Sequence, residues 1–172
     1  MLLIYIFYAK FTKKTVYKCY FNYMIDSKDA EIIRLLQENG KLSYADIGEK
    51  VSLSITAVKE RIKKLTQSGA LRDNVYIPDP QVLGFDICAF VQVLMPHPTE
   101  EDNFVKQIAQ VPEVQECHFI TGEYSYLLKV RVENTKALEA LISQKIKSIT
   151  GVVRTNTIIA LTTSKETLSL NI

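Results

Sequence analysis

The sequence has few cysteines, and none of them stand in the patterns that bind zinc or form a disulfide framework. Cys19, Cys88 and Cys117 are odd in number and far apart in a chain of 172 residues. There is no CxxC pair and no cluster of cysteine with histidine, so neither kind of site is expected. The sequence therefore predicts no metal and no cofactor, and free thiols of this kind suit a reducing, cytoplasmic compartment.

A large charge of either sign is also lacking. The formal net charge is +2, so the chain as a whole does not carry the strong basic excess that marks many nucleic-acid binders. The length allows one large domain or two small ones, and a hydrophobic content of 47% is enough to build real cores. Any nucleic-acid binding must therefore come from a local surface.

A hydrophobic run long enough to span a membrane is absent from the N-terminus, where the apolar stretch ends at Lys10. We expect no membrane partner. Residues 1–23 still differ from the rest, because they hold five of the nine tyrosines and four lysines but no acidic residue. Two interpretations of this atypical extension stay open: an upstream stretch before a true start at Met24, or an extra strand or interaction arm. A targeting segment is favoured less, since clear signal-peptide features are missing.

From Met24 the pattern becomes regular and predicts a helical domain over residues 24–77. Asp26, Ser43 and Ser54 each stand where a helix N-cap is expected. The third helix ends near Gly69, and its apolar residues fall on one arc that would face a core: Ile55, Val58, Ile62 and Leu65. Three helices with a tight turn between the last two form a helix-turn-helix. The segment GALRDNVYIP that follows suits a small wing.

Residues 78–85, with two prolines and a glycine, predict a linker to a second domain at 86–166. The predicted elements are a strand at Asp86–Met95, a helix from Thr99, strands at Val114–Thr121 and Tyr124–Val132, a helix capped by Thr135 and a strand at Val152–Thr163. This βαββαβ order is ferredoxin-like, which places the whole chain in the α+β class. Helices would cover only one sheet face, and the strands are more apolar than that requires. The other face is therefore expected to meet a second subunit. Residues 167–172 remain as a tail.

The third predicted helix carries the candidate DNA-binding surface. In a helix-turn-helix the N-terminal part of this helix enters the major groove, and basic residues further along meet phosphates. The candidate base readers are Ser54, Thr56, Ala57, Lys59 and Glu60, and the candidate phosphate contacts are Arg61, Lys63, Lys64 and Arg72. The alternative is a solvated face of an interaction module. Residues 24–78 hold nine basic and eight acidic groups, so one copy is expected to bind weakly and a dimer more tightly.

Three stretches resemble the leucine-responsive regulatory protein/AsnC family of transcription regulators. They are IDSKDAEIIRLLQENGKLSYADIGEKVSLSITAVKERIKKLTQSGAL, VQECHFITGEYSYLLKVRV and ITGVVRTNT. The resemblance covers Ile25 to Thr163 and implies a protein that binds double-stranded DNA through its helix-turn-helix. It also implies homodimers that pair through the ferredoxin-like (RAM) domain, and often octamers. Amino acids or related small metabolites bind that family at the junction between dimers.

The resemblance places the effector at the predicted hairpin tip. Carried over onto this sequence, the lining residues are Thr121, Gly122, Glu123, Tyr124, Ser125 and Tyr126. Backbone N–H groups of a turn can hold a carboxylate, and Glu123 can meet an ammonium group. The family commonly has Asp at the position of Glu123 and Asp or Asn at that of Ser125, so one acidic group stands here instead of two. Simple cross-strand packing is the alternative for the two tyrosines.

We therefore predict a metabolite-responsive DNA-binding regulator and not an enzyme. Two alternatives stay open. One is an enzyme similar to the siroheme decarboxylases, which resemble this family and would use His118 and basic residues to hold a tetrapyrrole. Residues from Asp79 onward carry eight basic and eleven acidic groups, an unfavourable field for such a polyanion. The other is a DNA-compacting protein of low sequence preference.

Overall fold

The computed structural model describes residues 24–72 and 75–172. These residues divide into two compact units, with the boundary between Tyr76 and Ile77. Leu168–Ile172 packs with the first unit, while Ile77–Thr167 forms the second. The predictions for residues 1–23 lie outside the described residues. No helix in the described part of the chain is long and apolar enough to cross a membrane.

The first unit contains the three predicted helices, α1 at Ser27–Glu38, α2 at Tyr44–Val51 and α3 at Ile55–Ser68. Each begins at its predicted N-cap. The side chains of Asp26, Ser43 and Ser54 accept a hydrogen bond from the backbone N–H three residues further on. In α1 and α2 the side chain of an aspartate, Asp29 or Asp46, accepts a hydrogen bond from the backbone N–H of the N-cap residue, which completes a capping box. Local side-chain chemistry therefore determines where these helices begin.

The inward faces of the three helices form one small core, made of Ile32, Ile33, Ile47, Val51, Val58 and Leu65. Ile62 packs partly against this core. The prediction that Ile55 also faces it is wrong, because the Ile55 side chain is 56% exposed. Helical side chains point back toward the N-terminus, so the side chain of the first residue of α3 projects past the end of the helix.

The turn between α2 and α3 depends on a close backbone approach at Gly48. A Cβ atom at this position would lie 2.6 Å from the Leu53 carbonyl oxygen. The Leu53 N–H donates to the Gly48 carbonyl at 2.9 Å, and Ser52 adopts a left-handed φ of 56°. The absence of a side chain at Gly48 thus allows the tight turn that orients α3.

The predicted wing contains no strand within the described residues, since 70–72 and 75–79 are irregular. The Tyr76 ring instead lies 5.7 Å from the Lys41 ammonium group. The predicted linker closes into a turn, in which the Asp79 carboxylate accepts the Gln81 N–H at 2.9 Å.

The second unit has the predicted βαββαβ order, with shifted boundaries. Its elements are β1 at Ile87–Leu94, α4 at Glu101–Ile108, β2 at Val114–Phe119, β3 at Tyr126–Val132, α5 at Thr135–Ala140 and β4 at Arg154–Ala160. A 3-10 turn, Pro98–Glu100, stands where the first helix was predicted to begin. Asn134, not Thr135, caps α5, because the Asn134 side chain accepts the Ala137 N–H at 2.9 Å. A π-helical segment, Leu141–Ile146, continues α5.

The four strands form one antiparallel sheet in the order β2-β3-β1-β4. Alternate strand residues pack with both helices in one core. The strand residues Val91 and Leu128 and the α4 residue Phe104 are fully buried there. The other sheet face, called the open face below, holds the intervening residues Phe90, Leu127, Lys129, Arg131 and Ile158. The α+β class and the one-sided sheet are thus as predicted, although charged residues accompany the apolar ones on the open face.

Candidate DNA-binding face and effector loop

The exposed side of α3 presents charged side chains with no partners within the described residues. Thr56, Lys59, Glu60, Lys63 and Lys64 are all exposed, and none has a hydrogen bond or ion pair to another described side chain. We call these five residues the recognition face. Because no bond to another described side chain has to be broken first, Lys59, Lys63 and Lys64 can meet an external polyanion. Arg72 is also exposed.

The remaining candidates on α3 contribute to the fold as well. The Ser54 hydroxyl accepts the Ala57 N–H at 3.2 Å as the helix N-cap, and Ala57 is half-buried. That both contact bases stays a prediction.

Arg61 lies at the flank of α3 and binds inside the first unit. Its Nη1 atom lies 2.7 Å from an Asp26 carboxylate oxygen and 2.8 Å from an Asp29 oxygen. Asp29 is only 1% exposed, and its second oxygen accepts the Asp26 N–H at 3.2 Å. The two carboxylates raise the pKa of Arg61, and the Asp29 N–H and Arg61 lower the pKa of Asp26. Arg61 therefore joins α3 to the start of α1, and its predicted phosphate contact stays a prediction.

Residues 120–125 connect β2 to β3 and form the hairpin tip, which contains most of the predicted effector residues. Thr121, Gly122 and Glu123 are exposed. Gly122 has a φ of 121°, a conformation that side chains rarely adopt, and no atom lies within 4 Å of the position where a Cβ would stand. The backbone of the tip is thus open to solvent at Gly122.

Ser125 holds the tip against the end of β1. Its hydroxyl donates to the Met95 carbonyl at 3.0 Å and accepts the Met95 N–H at 3.1 Å. The Ser125 N–H also donates to the Val93 carbonyl at 2.9 Å. A hydroxyl that already donates and accepts has little capacity left for a ligand. Ser125 thus positions the loop, and its predicted contact with an effector stays a prediction.

Tyr126 packs into the core of the second unit. It is 3% exposed, and its ring centroid lies 4.8 Å from that of Phe104 and 5.3 Å from that of Phe119. Burial raises the pKa of its phenol well above the usual range. These contacts match the packing alternative for Tyr126, whereas Tyr124 remains half-buried at the tip.

Arg154, the first residue of β4, was not among the predicted site residues. Its guanidinium forms an ion pair with the Glu123 carboxylate and lies 5.2 Å from the centroid of the Tyr124 ring. The sheet order brings them together, because Arg154 pairs with Leu94 at the end of β1 over which the tip folds. A signal was present in the sequence: a cation opens the last strand of a ferredoxin-like order, at the sheet end where the β2–β3 turn must lie.

Ion pairs cross the open face on the far side of the sheet from the helices. Glu166 pairs with Lys129 and with Arg131, the latter at 2.7 Å, and Glu116 lies 3.1 Å from Lys129. The His118 Nε2 atom lies 3.0 Å from Glu116, and the His118 side chain is 55% exposed. The histidine that an enzymatic alternative requires is thus paired on the open face. Among the described residues, no three or more His, Cys, Asp or Glu are grouped so that they could hold a metal.

Both units match known family models. The AsnC-type helix-turn-helix domain matches residues 25–66, and the Lrp/AsnC ligand binding domain matches residues 88–170. The chain belongs to the Lrp/AsnC family. The resemblance seen in the sequence is thereby confirmed, together with the α+β fold and the transcription-regulator class.

Relatives in the Lrp/AsnC family include regulators from bacteria and archaea. The chain is 32% identical to a proline dehydrogenase transcriptional activator of Rhizobium radiobacter, over 83% of this chain and 93% of that protein. It is 34% identical to the regulator FL11 of Pyrococcus horikoshii, over 86% and 97%. A solved Neisseria meningitidis regulator in complex with L-methionine superposes with a TM-score of 0.80 at 28% identity, covering 85% of this chain and 96% of that one.

Proposed function

We propose that this Lrp/AsnC family member regulates transcription by binding double-stranded DNA through the recognition face of α3. The observation that supports this most directly is the set of exposed cations at Lys59, Lys63 and Lys64, which have no partner among the described residues. The tight turn at Gly48 and the Ser54 cap support α3 as the second helix of a helix-turn-helix, and in such motifs that helix enters the major groove. Lysines near its middle then meet phosphates, while Thr56 and Glu60 reach base edges.

Charge reversal at Lys63 tests DNA binding. Lys63→Glu replaces an exposed cation, so we expect loss of sequence-specific binding without loss of fold. In a dimer with two phosphate contacts removed, the slope of log affinity against log salt should fall by about 2. Lys136→Glu is the matched control, since Lys136 is an exposed cation on α5 and the change in net charge is the same. Equal DNA affinity and salt slope in the Lys63 variant and the wild type would contradict the proposal.

The effector of this regulator is an amino acid bound at the hairpin tip. Gly122 exposes backbone there, and Glu123 supplies a carboxylate for an ammonium group. Two solved structural relatives support an amino-acid ligand: the Neisseria regulator and a feast or famine regulatory protein of Mycobacterium tuberculosis, both complexed with L-methionine. The second superposes with a TM-score of 0.78 at 29% identity.

A thermal-shift screen against the twenty amino acids tests whether an amino acid binds. Size-exclusion chromatography with and without each stabilising amino acid then shows whether the ligand changes the assembly. A ligand that binds only the folded state at a hundred times its Kd stabilises by about 2.7 kcal/mol, which raises the unfolding temperature by several degrees. A shift by one or a few amino acids is expected, and no shift with any of them would contradict an amino-acid effector.

The regulator acts as a homodimer that pairs through the open face, and dimers assemble further with the effector at their junction. The half-exposed Ile158, beside Phe90 in the register, supports a protein partner on this face. An effector that binds one arrangement of dimers more tightly than another would favour that arrangement. It would thereby change the spacing of the two recognition faces and the affinity for DNA. Whether this assembly is a dimer or an octamer is read directly from sedimentation with and without the effector.

A further inference from the structure

At the hairpin tip the Glu123 carboxylate is already bound to a cation from β4, the Arg154 guanidinium. The side chains are 51% and 68% exposed, so solvent and solutes can reach both groups. An exposed ion pair contributes only about 0–1 kcal/mol, which makes the exchange of partners inexpensive. The pair is therefore a set of two open binding groups as much as a stabilising contact.

Arg154 is held in place by more than Glu123. The Tyr124 ring lies 5.2 Å from its guanidinium, at cation–π distance. Its backbone lies in β4 opposite Leu94, and the neighbouring Val153 N–H donates to the Leu94 carbonyl at 3.0 Å. The guanidinium thus has a fixed base and a stacking partner that would both persist if the Glu123 carboxylate turned away.

The base of Glu123 is fixed from the other side of the tip. Ser125 is bonded through its hydroxyl and its N–H to the end of β1, and the Ile120 N–H donates to the Ser125 carbonyl at 2.9 Å. The backbone on either side of Glu123 is therefore tied to the sheet end from which Arg154 projects. Opposite charges are thus presented side by side on two backbone segments that are both attached to the sheet.

We propose that Arg154 is the carboxylate-binding residue of the effector site and restricts that site to zwitterionic α-amino acids. This inference rests on the proposed effector function. The guanidinium donates to a carboxylate in a bidentate fork, while the displaced Glu123 takes the ammonium group of the same ligand. One ion pair within the protein is exchanged for two with the ligand. A purely cationic or purely anionic ligand meets one matching and one opposing group, and is rejected.

The test is calorimetric titration of the wild type with the tightest binder of the twenty amino acids, its methyl ester and its N-acetyl derivative. The ester lacks the carboxylate and the N-acetyl form lacks the ammonium group. Once a second dimer covers the site and excludes water, each charge-assisted contact corresponds to roughly a tenfold to hundredfold change in affinity. Both derivatives should bind the wild type more weakly by about that factor. Equal binding of the free amino acid and its ester by the wild type would overturn the inference without any variant.

Variants then assign the contact to its residue. Arg154→Gln should weaken binding of the amino acid about tenfold to a hundredfold. The Kd of the methyl ester divided by the Kd of the free amino acid should then be close to one. In Glu123→Gln the Kd of the N-acetyl derivative divided by the Kd of the free amino acid should likewise be close to one. Lys136→Gln removes an exposed cation elsewhere in the same unit and should keep both ratios. A folded Arg154→Gln protein that binds the amino acid like the wild type, or keeps the preference for acid over ester, overturns the inference.

The outcomes separate this inference from the effector proposal. Binding of an amino acid that does not depend on Arg154 refutes only the role of Arg154. Failure of the wild type to bind any of the twenty amino acids refutes both. If Arg154→Gln does not fold, Arg154→Lys, which keeps the cation, should preserve discrimination against the ester, and loss of that discrimination in a folded Arg154→Lys protein would count against a charge-based contact.

Discussion

Replacing Arg61 should destabilise the helix-turn-helix more than it weakens DNA contact. In Arg61→Gln the buried Asp29 carboxylate loses its cation and, within the described residues, keeps the Asp26 N–H at 3.2 Å. A fully buried pair broken on one side costs about 3–5 kcal/mol. Arg61 is 29% exposed and Asp26 is 51% exposed, so water compensates part of the loss. We expect a local cost of about 2–3 kcal/mol.

Hydrogen exchange of the intact protein measures this cost within the first unit. Protection of amides in α1 and α3 should fall roughly 30- to 150-fold in Arg61→Gln, the factor that corresponds to 2–3 kcal/mol. Lys63→Gln is the matched control, because it also removes a cation from α3 but one without a partner in the described part of the chain. It should stay within about 0.5 kcal/mol of the wild type. Asp29→Asn should cost less in the Arg61→Gln background than in the wild type, because the two residues share one interaction.

Two results would refute this reasoning. Unchanged protection together with a large loss of DNA affinity in Arg61→Gln would make Arg61 a phosphate contact. Additive effects of the two substitutions would show that Arg61 and Asp29 do not act as a pair.

Two further predictions concern the helices of the first unit. Gly48→Ala would place a methyl group 2.6 Å from the Leu53 carbonyl, so we expect a loss of about 1–3 kcal/mol, read from amide exchange in α2 and α3, and weaker DNA binding as the turn opens. The Ser43 hydroxyl and N–H lower the pKa of Asp46 below its ordinary 3.8, so the stabilisation by this carboxylate is present above pH 3.8 and is lost as the pH falls through the lower pKa of the folded state. The unfolding temperature of the wild type should therefore fall in that acidic range, and Asp46→Asn should weaken this pH dependence.

What the sequence predicted well is what depends on near neighbours. Each capping contact joins residues three apart, so Asp26, Ser43 and Ser54 could be assigned from the local pattern of residues alone. The same holds for the order of strands and helices, because hydrophobic periodicity is local. Ile55 shows the limit of periodicity: it has the right angular position on α3, but it lies at the end of the helix, where 56% of it stays exposed.

What the sequence did not predict depends on contacts between distant residues. Arg61 meets Asp29 across 32 residues, Ser125 meets Met95 across 30, and Arg154 meets Glu123 across 31. No local pattern distinguishes an arginine that binds phosphate from one that neutralises a buried carboxylate. Likewise, Ser125 looked like an uncharged substitute at a ligand position, whereas its hydroxyl fastens the hairpin tip to β1. The geometry of the site is a property of the sheet order.

The DNA affinity of this regulator should depend on the open face of the sheet, although the residues of that face are distant in sequence from the candidate base readers on α3. Residues 24–78 have only one more basic than acidic group, so we expect two linked copies to bind DNA more tightly than one. Ile158→Glu adds a charge where the side chain is 50% exposed, which spares the monomer fold. In a symmetric interface the charge enters twice, and we expect dissociation in sedimentation and at least about tenfold weaker DNA binding. Val105→Glu, at a 43% exposed position on α4, should change neither, and an intact dimer in the Ile158 variant would show that subunits pair elsewhere.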